Sequence, residues 1–382
     1  MKAEDSIFLK LVLEEVNKRI AVGAQPDEID RNSIGIEIAS QSESLGLEYA
    51  RSLQRDIART VQLRQSHTGR VRRQVAKRLG GALRKFSELL ALVEVANRIQ
   101  TDDIHRWMVA DEFDAQFAPP FPIKGLIGGP GAKFFSLNSL HARAVVIAQE
   151  IYELLVAGFA EAASARARSL YEIDIIMTIV ACSNEDTGYE VSNRYYVSAA
   201  IEQRKWIQNE TVRSVTGGIL DPKLSEWISH AKQAWGTRFF DPYGWAHPAL
   251  NLAPKHRPTF ADLEKHAQFT EFRYLYLEFN DAVHAGAKNT LSRADFRRRY
   301  PYSTRAENTP RSAARIGWTT ARLLDYTTFI ATYGIATGIC EWDDLLTLGA
   351  LDRLSAETIS MFKEIVSSYD TPLAHEEESP SH

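Results

Sequence analysis

The chain has 382 residues, 45% hydrophobic and 25% charged, with a formal net charge of −4. This is globular composition, long enough for two or three domains or one large one, and the overall charge gives no general affinity for nucleic acid. Two cysteines, Cys182 and Cys340, are too few for a disulfide framework or a cysteine-based zinc site, so a reducing, cytoplasmic setting is expected.

The opening MKAEDSIFLKLVLEE is too short in its apolar part, and too interrupted by charge, for a secretory signal. No apolar run of about 18 residues occurs, so no membrane partner is expected. Residues 5–22 carry apolar side chains at i, i+3, i+4 and i+7, the spacing of a helix with one buried face. GAQPDEIDRNS interrupts it. Residues 36–99 read as one or two long helices, with a candidate break at Ser66–Gly69. Asp102 and Asp103 are placed to cap a short helix running to Phe113. The stretch FAPPFPIKGLIGGPGAKFF, dense in proline and glycine, reads as a loop or domain junction.

Helical patterns resume at 138–182, 188–212, 222–236, 260–288, 308–339 and 355–369. Residues 238–258 are aromatic and proline-rich, the composition of an ordered loop lying over a core. The last residues, TPLAHEEESPSH, have little to bury and are expected to be disordered. No strand-like alternation is long enough to matter. The expected class is all-α, a multi-helix bundle with a long basic N-terminal helical region. The expected division is an N-terminal region 1–115, a connector 116–137, a helical domain 138–370 and a tail 371–382.

Charge is unevenly spread. Residues 51–85 hold eleven basic side chains against one acid, Asp56. Arg51, Arg55 and Arg59 recur every four residues, making one stripe, and Arg70, Arg72, Arg73 and Lys77 continue the basic run. Clustered guanidinium groups neutralise phosphates and release counterions, so this helix is a candidate nucleic-acid contact. The plainer reading is a solvated face paired with acids elsewhere or with a second subunit. GLIGGPGAKFF is not a phosphate loop: Lys133 is followed by Phe134 rather than Ser or Thr, no strand precedes it, and Pro130 removes a backbone donor.

Two helices carry polar residues within apolar surroundings. At 100° per residue, Glu161, Ala165, Arg168, Glu172, Ile175 and Ile179 fall along one line, with Phe159, Leu170, Ile173, Met177 and Val180 opposite. Arg168 and Glu172 can bridge at i, i+4. In FRYLYLEFNDAVHAGA the same spacing aligns Arg273, Leu277, Asn280 and His284, with Tyr276 beside them. If the two stripes meet, they assemble a base, a carboxylate, a cation and an amide. Such groups mark functional sites, but a buried Arg–Glu pair also serves as a helix-register device. Trp245, His247 and His256 lie in a loop without metal-ligand spacing. CEWDDL reads as a helix N-terminus with acids against the dipole. No metal and no cofactor are expected.

At ARSLYEIDIIMTIV and RYLYLEFNDAVHAGA the sequence resembles DUF5677, a broad bacterial family of uncharacterised all-α proteins. Its pattern joins an R-[SA]-L-x-E helix to a later Y-x-x-x-[SN]-x-x-x-H-like helix. The matching positions are Arg168, Ser169, Leu170 and Glu172, then Tyr276, Asn280 and His284. The resemblance spans roughly residues 138–290. More distantly the second helix is similar to HEPN ribonucleases, helical bundles with the signature R-[ND]-x-x-x-H. Asn280 and His284 occupy two of its positions, while Phe279 stands where the arginine would be. In that family two motifs meet across a dimer. There the histidine serves as acid or base and the arginine stabilises charge on phosphorus; here that duty would pass to Arg168 or Arg273.

The resemblance therefore implies a homo-oligomeric, metal-independent ribonuclease of a toxin or anti-phage defence system, with RNA as its partner. His284 would be the general acid/base and Arg168 the charge stabiliser, oriented by Glu172, with Asn280 and Tyr276 holding the scissile group. The rival expectation is a non-enzymatic helical scaffold, its polar cluster structural and its basic helix binding a partner or nucleic acid. A third is a small-molecule or nucleotide sensor using a pocket in the bundle. The enzyme reading requires His284 and Arg168 to be neighbours around a hollow that solvent can reach.

Overall fold

A computed structural model describes residues 7–26, 28–40, 54–109, 129–208, 222–253, 255–283, 310–339 and 342–370. Every long element among them is an α-helix: α1 (Ile7–Ala21), α2 (Arg31–Ser40), α3 (Gln54–Val109), α4 (Pro130–Ala157), α5 (Ala160–Ala181), α6 (Glu190–Gln208), α7 (Pro222–Trp235), α8 (Phe260–His266), α9 (Arg273–Val283), α10 (Pro310–Ile339) and α11 (Trp342–Asp370). No strand occurs among the described residues, so the chain is all-α. The expected disorder of 371–382 and the expected roles of Arg51 and His284 lie outside the described residues.

The chain divides into two compact units, Met1–Gly69 and Arg70–His382. In the first, α1 and α2 bury Val12, Val16 and Ile34 against each other, with Ile29 and Ile38 alongside. Asp30 starts α2: its carboxylate accepts from the Asn32 backbone N–H at 2.9 Å and the Ser33 hydroxyl at 2.6 Å. Arg19 ties the pair by donating to Glu37 at 3.0 Å.

Several helix boundaries differ from the sequence pattern. α3 runs unbroken through Ser66–Gly69 and on to Val109. One glycine costs a helix only about 1 kcal/mol, and no proline intervenes. Asp103 does not cap a new helix; it is buried inside α3 and pairs with Arg106. α4 begins at Pro130, where proline suits the first helical turn, and buries Phe134 and Leu137. The pattern at 138–182 splits at Gly158, whose φ of 88° ends α4 in a left-handed cap. A side chain there would also meet Val71 Cγ1 at 2.5 Å. The pattern at 260–288 is broken at Gln268, with φ 59°. α11 starts at Trp342, well before residue 355.

α5 is the central rod of the second unit. It packs on α4, α9 and α10, and α10 in turn packs on α11. Ala160, Ala163 and Ala167 let neighbours approach closely, and Leu170, Ile175, Met177, Ile179 and Val180 are fully buried or nearly so. α3 contributes Phe86, whose ring meets Tyr152 and Phe362 edge-on at 6.1 and 6.2 Å. The loop over 238–258 is ordered by buried Phe239, Trp245, Ala246 and Leu250, with Tyr195 edge-on to Trp245 at 4.8 Å.

A polar seam runs through this core. His141 of α4 is fully buried, with Nδ1 at 2.7 Å from the Gln100 side-chain amide and Nε2 at 3.1 Å from Thr328 Oγ1. The Thr328 hydroxyl spends its hydrogen on the Leu324 carbonyl at 2.7 Å. Its oxygen therefore accepts from Nε2–H, and Nδ1 is the ring's acceptor. Gln100 meets Nδ1 through its Oε1 and donates through Nε2 to Thr332 Oγ1 at 2.8 Å; exchanging the two ends of that amide gives Nδ1 its donor and leaves the Thr332 hydroxyl to donate to the Gln100 oxygen. Burial pushes the imidazole pKa down to about 3. Asp174 of α5 is fully buried as well and meets the Thr327 hydroxyl through Oδ1. Thr327 also faces the Leu323 carbonyl at 2.7 Å. One hydroxyl hydrogen serves one acceptor well, so the Asp174 carboxyl supplies the other. It is the protonated form that fits, in keeping with burial, which raises its pKa well above the usual carboxylate range.

Candidate functional site

Arg168 and Glu172 lie one turn apart on α5, near the point where α9 crosses it. Arg168 Nη2 is 2.9 Å from Glu172 Oε1 and donates to the Tyr276 hydroxyl at 3.1 Å. The Tyr276 hydroxyl also stands close enough to Glu172 to lower its pKa, so cation, carboxylate and phenol form a triangle. The guanidinium carbon stands 5.3 Å from the centroid of the Tyr276 ring, a cation–π contact. Tyr276 itself is held between two rings, Phe260 at 5.1 Å and Tyr171 at 5.4 Å, each inclined by 30°. The aromatic clamp fixes the phenol, and the phenol fixes the guanidinium.

This triangle is open to solvent: the Arg168 side chain is 27% exposed and that of Glu172 32%. Desolvation works against the Arg168 charge, but Tyr276 and Glu172 outweigh it and its pKa rises. For Glu172 the balance is reversed. Burial raises its pKa despite the opposing pull of Arg168 and of the Tyr276 hydroxyl. The nearby Tyr243 phenol is raised by burial first and then by the Glu172 charge. Two groups at this end of the bundle are unspent: Arg168 Nε and Asn280 Oδ1 are buried and without a partner among the described residues.

A second network backs the first. Glu264, fully buried on α8, accepts from the Tyr171 hydroxyl at 2.7 Å and pairs with Arg273. The Tyr171 oxygen also lies 3.2 Å from the Phe269 carbonyl. Burial, then Glu264, raise the Tyr171 pKa far above the phenol range. The turn that arranges this is local. Thr259 and Asp262 form a capping box at the start of α8. Gln268 then turns the chain with its positive φ, and a short 3-10 turn at Thr270–Phe272 delivers Arg273 to the first position of α9.

Arg168, Glu172 and Tyr276 are thus brought together. Arg273, which shares a helical line with Asn280, is directed to Glu264 instead. Phe279, at the position where the HEPN-like pattern has arginine, is a core side chain only 1% exposed. His284 follows α9 directly and is outside the described residues, as is Arg51. Arg55 lies in α3; Arg59, Arg70, Arg72, Arg73 and Lys77 are exposed along the same helix. Sequence periodicity missed Tyr171, Tyr243 and Glu264. The Thr259-x-x-Asp262 spacing is a capping signal that could have set the start of α8, but it carries no sign that Glu264 is buried.

Among the described residues, no group of three or more His, Cys, Asp or Glu side chains could hold a metal ion. No described helix is long and apolar enough to cross a membrane. Comparison with curated proteins gives no match, and neither does comparison with solved structures. The resemblance read at the two motifs holds at the level of the family: the stretch 134–297, which contains α5, α8 and α9, matches the model of DUF5677, a family of unknown function.

Proposed function

We propose that the Arg168–Glu172–Tyr276 cluster is the phosphate-handling centre of a metal-independent ribonuclease, with His284 as its general acid/base. The observation that supports this reading is the state of Arg168. Its Nη2 is anchored by Glu172 and Tyr276 while the side chain stays partly in solvent. A guanidinium carries five donors in a planar fork, so an anchor at one nitrogen leaves donors for a phosphate oxygen while fixing their direction. Charge that develops on phosphorus during transfer is stabilised most by cations that need no reorganisation. Tyr276 and Glu172 supply that preorganisation, and Asn280, one turn further along α9, holds an unspent amide oxygen that can accept from a ribose hydroxyl.

The test compares wild type with Arg168→Lys, Arg168→Ala and His284→Ala on total RNA, with helicity and thermal unfolding checked for each. Arg168→Lys keeps the charge but loses the fork, and cleavage should fall by about 10²-fold or more with the fold retained. His284→Ala should lose a similar factor, about 10²–10⁴. Absence of cleavage by wild type, or cleavage unchanged in the Arg168 variants, refutes the reading. A structural role is the second reading, and the Tyr171–Glu264–Arg273 network favours it for its own members. Glu264 there is sealed from solvent with both carboxylate oxygens engaged.

A further inference from the structure

The second unit carries a strongly charged surface that the cleavage centre does not use. Between Arg70 and Arg84, α3 has six basic residues and no acid. Its apolar side is spent: Val71, Val75, Leu79, Ala82 and Phe86 are buried in the core. Arg70, Arg73, Lys77 and Arg84 fall on the opposite side, within roughly a 60° arc at 100° per residue. All four are exposed. Among the described residues none of them makes an ion pair, whereas Lys85, just beside them, is neutralised by Glu88 at 2.9 Å and Glu357 at 3.2 Å. Arg78 is set apart from the four, since it lines a groove together with Glu364. Gly81 and Gln74 flank the arc on one side, within about 40° of Arg70, so no bulky side chain borders the cations there.

We infer that this stripe is a docking surface for the sugar–phosphate backbone of a nucleic acid. Four unpaired like charges held on one rigid line repel each other and gain most from a partner whose own charges also repeat along a line. Arg70 to Arg84 spans about 21 Å of helix axis, at 1.5 Å per residue. That length matches about six nucleotide steps at 3.4 Å per strand. An anionic membrane surface fits less well, because a helix bound there needs a free apolar face, and the apolar face of α3 is buried in the core. No aromatic residue lies in the stripe, so binding is to backbone and carries little base preference.

The experiment measures binding rather than cleavage, so it is independent of the ribonuclease reading. Fluorescence anisotropy of the full chain with a labelled single-stranded RNA and with a DNA duplex is followed as salt rises. Four phosphate contacts give a slope of log K against log salt of about −3 for the single strand and about −3.6 for the duplex. The variant Arg70→Gln/Arg73→Gln/Lys77→Gln should flatten the single-strand slope by about 2 and weaken binding about a hundredfold near 0.1 M salt. Its helicity and thermal unfolding should match wild type, since the three side chains are exposed and glutamine favours helix. A charge-matched control, Arg98→Gln/Arg143→Gln/Arg353→Gln, removes exposed cations elsewhere on the unit and should leave the slope unaltered. The inference is overturned by a flat salt response, by equal loss in the control, or by binding to anionic vesicles or an acidic protein without binding to either nucleic acid.

Discussion

Acidification should unfold this protein partly through one residue, His141. The ring is fully buried, and burial, which disfavours the charged imidazolium, pushes its pKa from 6.5 down to about 3. The unfolded chain accepts a proton as pH falls through 6.5, while the folded ring resists it until about 3. The folded state therefore binds fewer protons across that window. His141 leaves stability intact above about pH 6.5 and subtracts from it progressively below. At 1.36 kcal/mol per pKa unit the full loss is roughly 4–5 kcal/mol, and between pH 7.5 and 4.5 it amounts to about 2.5 kcal/mol. His141→Gln keeps a donor and an acceptor facing Gln100 and Thr328 but cannot titrate. It should cost about 1–3 kcal/mol at pH 7.5 through poorer hydrogen-bond geometry. Its further loss on going to pH 4.5 should then be smaller than that of wild type by about 2.5 kcal/mol. Urea unfolding followed by circular dichroism, on both proteins at both pH values, gives this difference and cancels every other titrating group. Equal losses in the two proteins, or an imidazole that titrates near 6.5 in the folded state by NMR, would refute the reasoning.

Asp174 has the opposite pH signature. A carboxyl whose folded pKa is raised above 3.8 holds a proton that the unfolded chain releases, so its contribution is lost as pH rises through that interval. Asp174→Asn offers an N–H to Thr327 without titrating, and its stability relative to wild type should increase from pH 4 to pH 8; a constant difference in urea midpoints would sink the protonated assignment. Glu264→Gln should lower unfolding free energy by about 1–3 kcal/mol, because Tyr171 and Arg273 lose a buried charged acceptor. Arg168→Gln, at a partly exposed pair, should cost about 0–1 kcal/mol by the same denaturation assay; a larger loss there than at Glu264 would make the triangle the chain's structural anchor.

The class of this protein was legible in its sequence because helical periodicity is local. Apolar residues spaced at three and four are enough to specify helices, and that spacing alone puts Glu172 one turn from Arg168. The same arithmetic aligned Arg273 with Tyr276 and Asn280, yet Arg273 turns to Glu264, because a turn after α8 brings that buried carboxylate within reach. Periodicity says which side of a helix a residue occupies and nothing about what stands opposite it. Tyr276 meets Arg168 across 108 positions of chain, and Thr328 meets His141 across 187. Local sequence set the helices and their charged and apolar faces. Packing alone decided which polar groups were sealed, which were paired and which stayed open to solvent, because those outcomes depend on the neighbours that folding delivers from far along the chain.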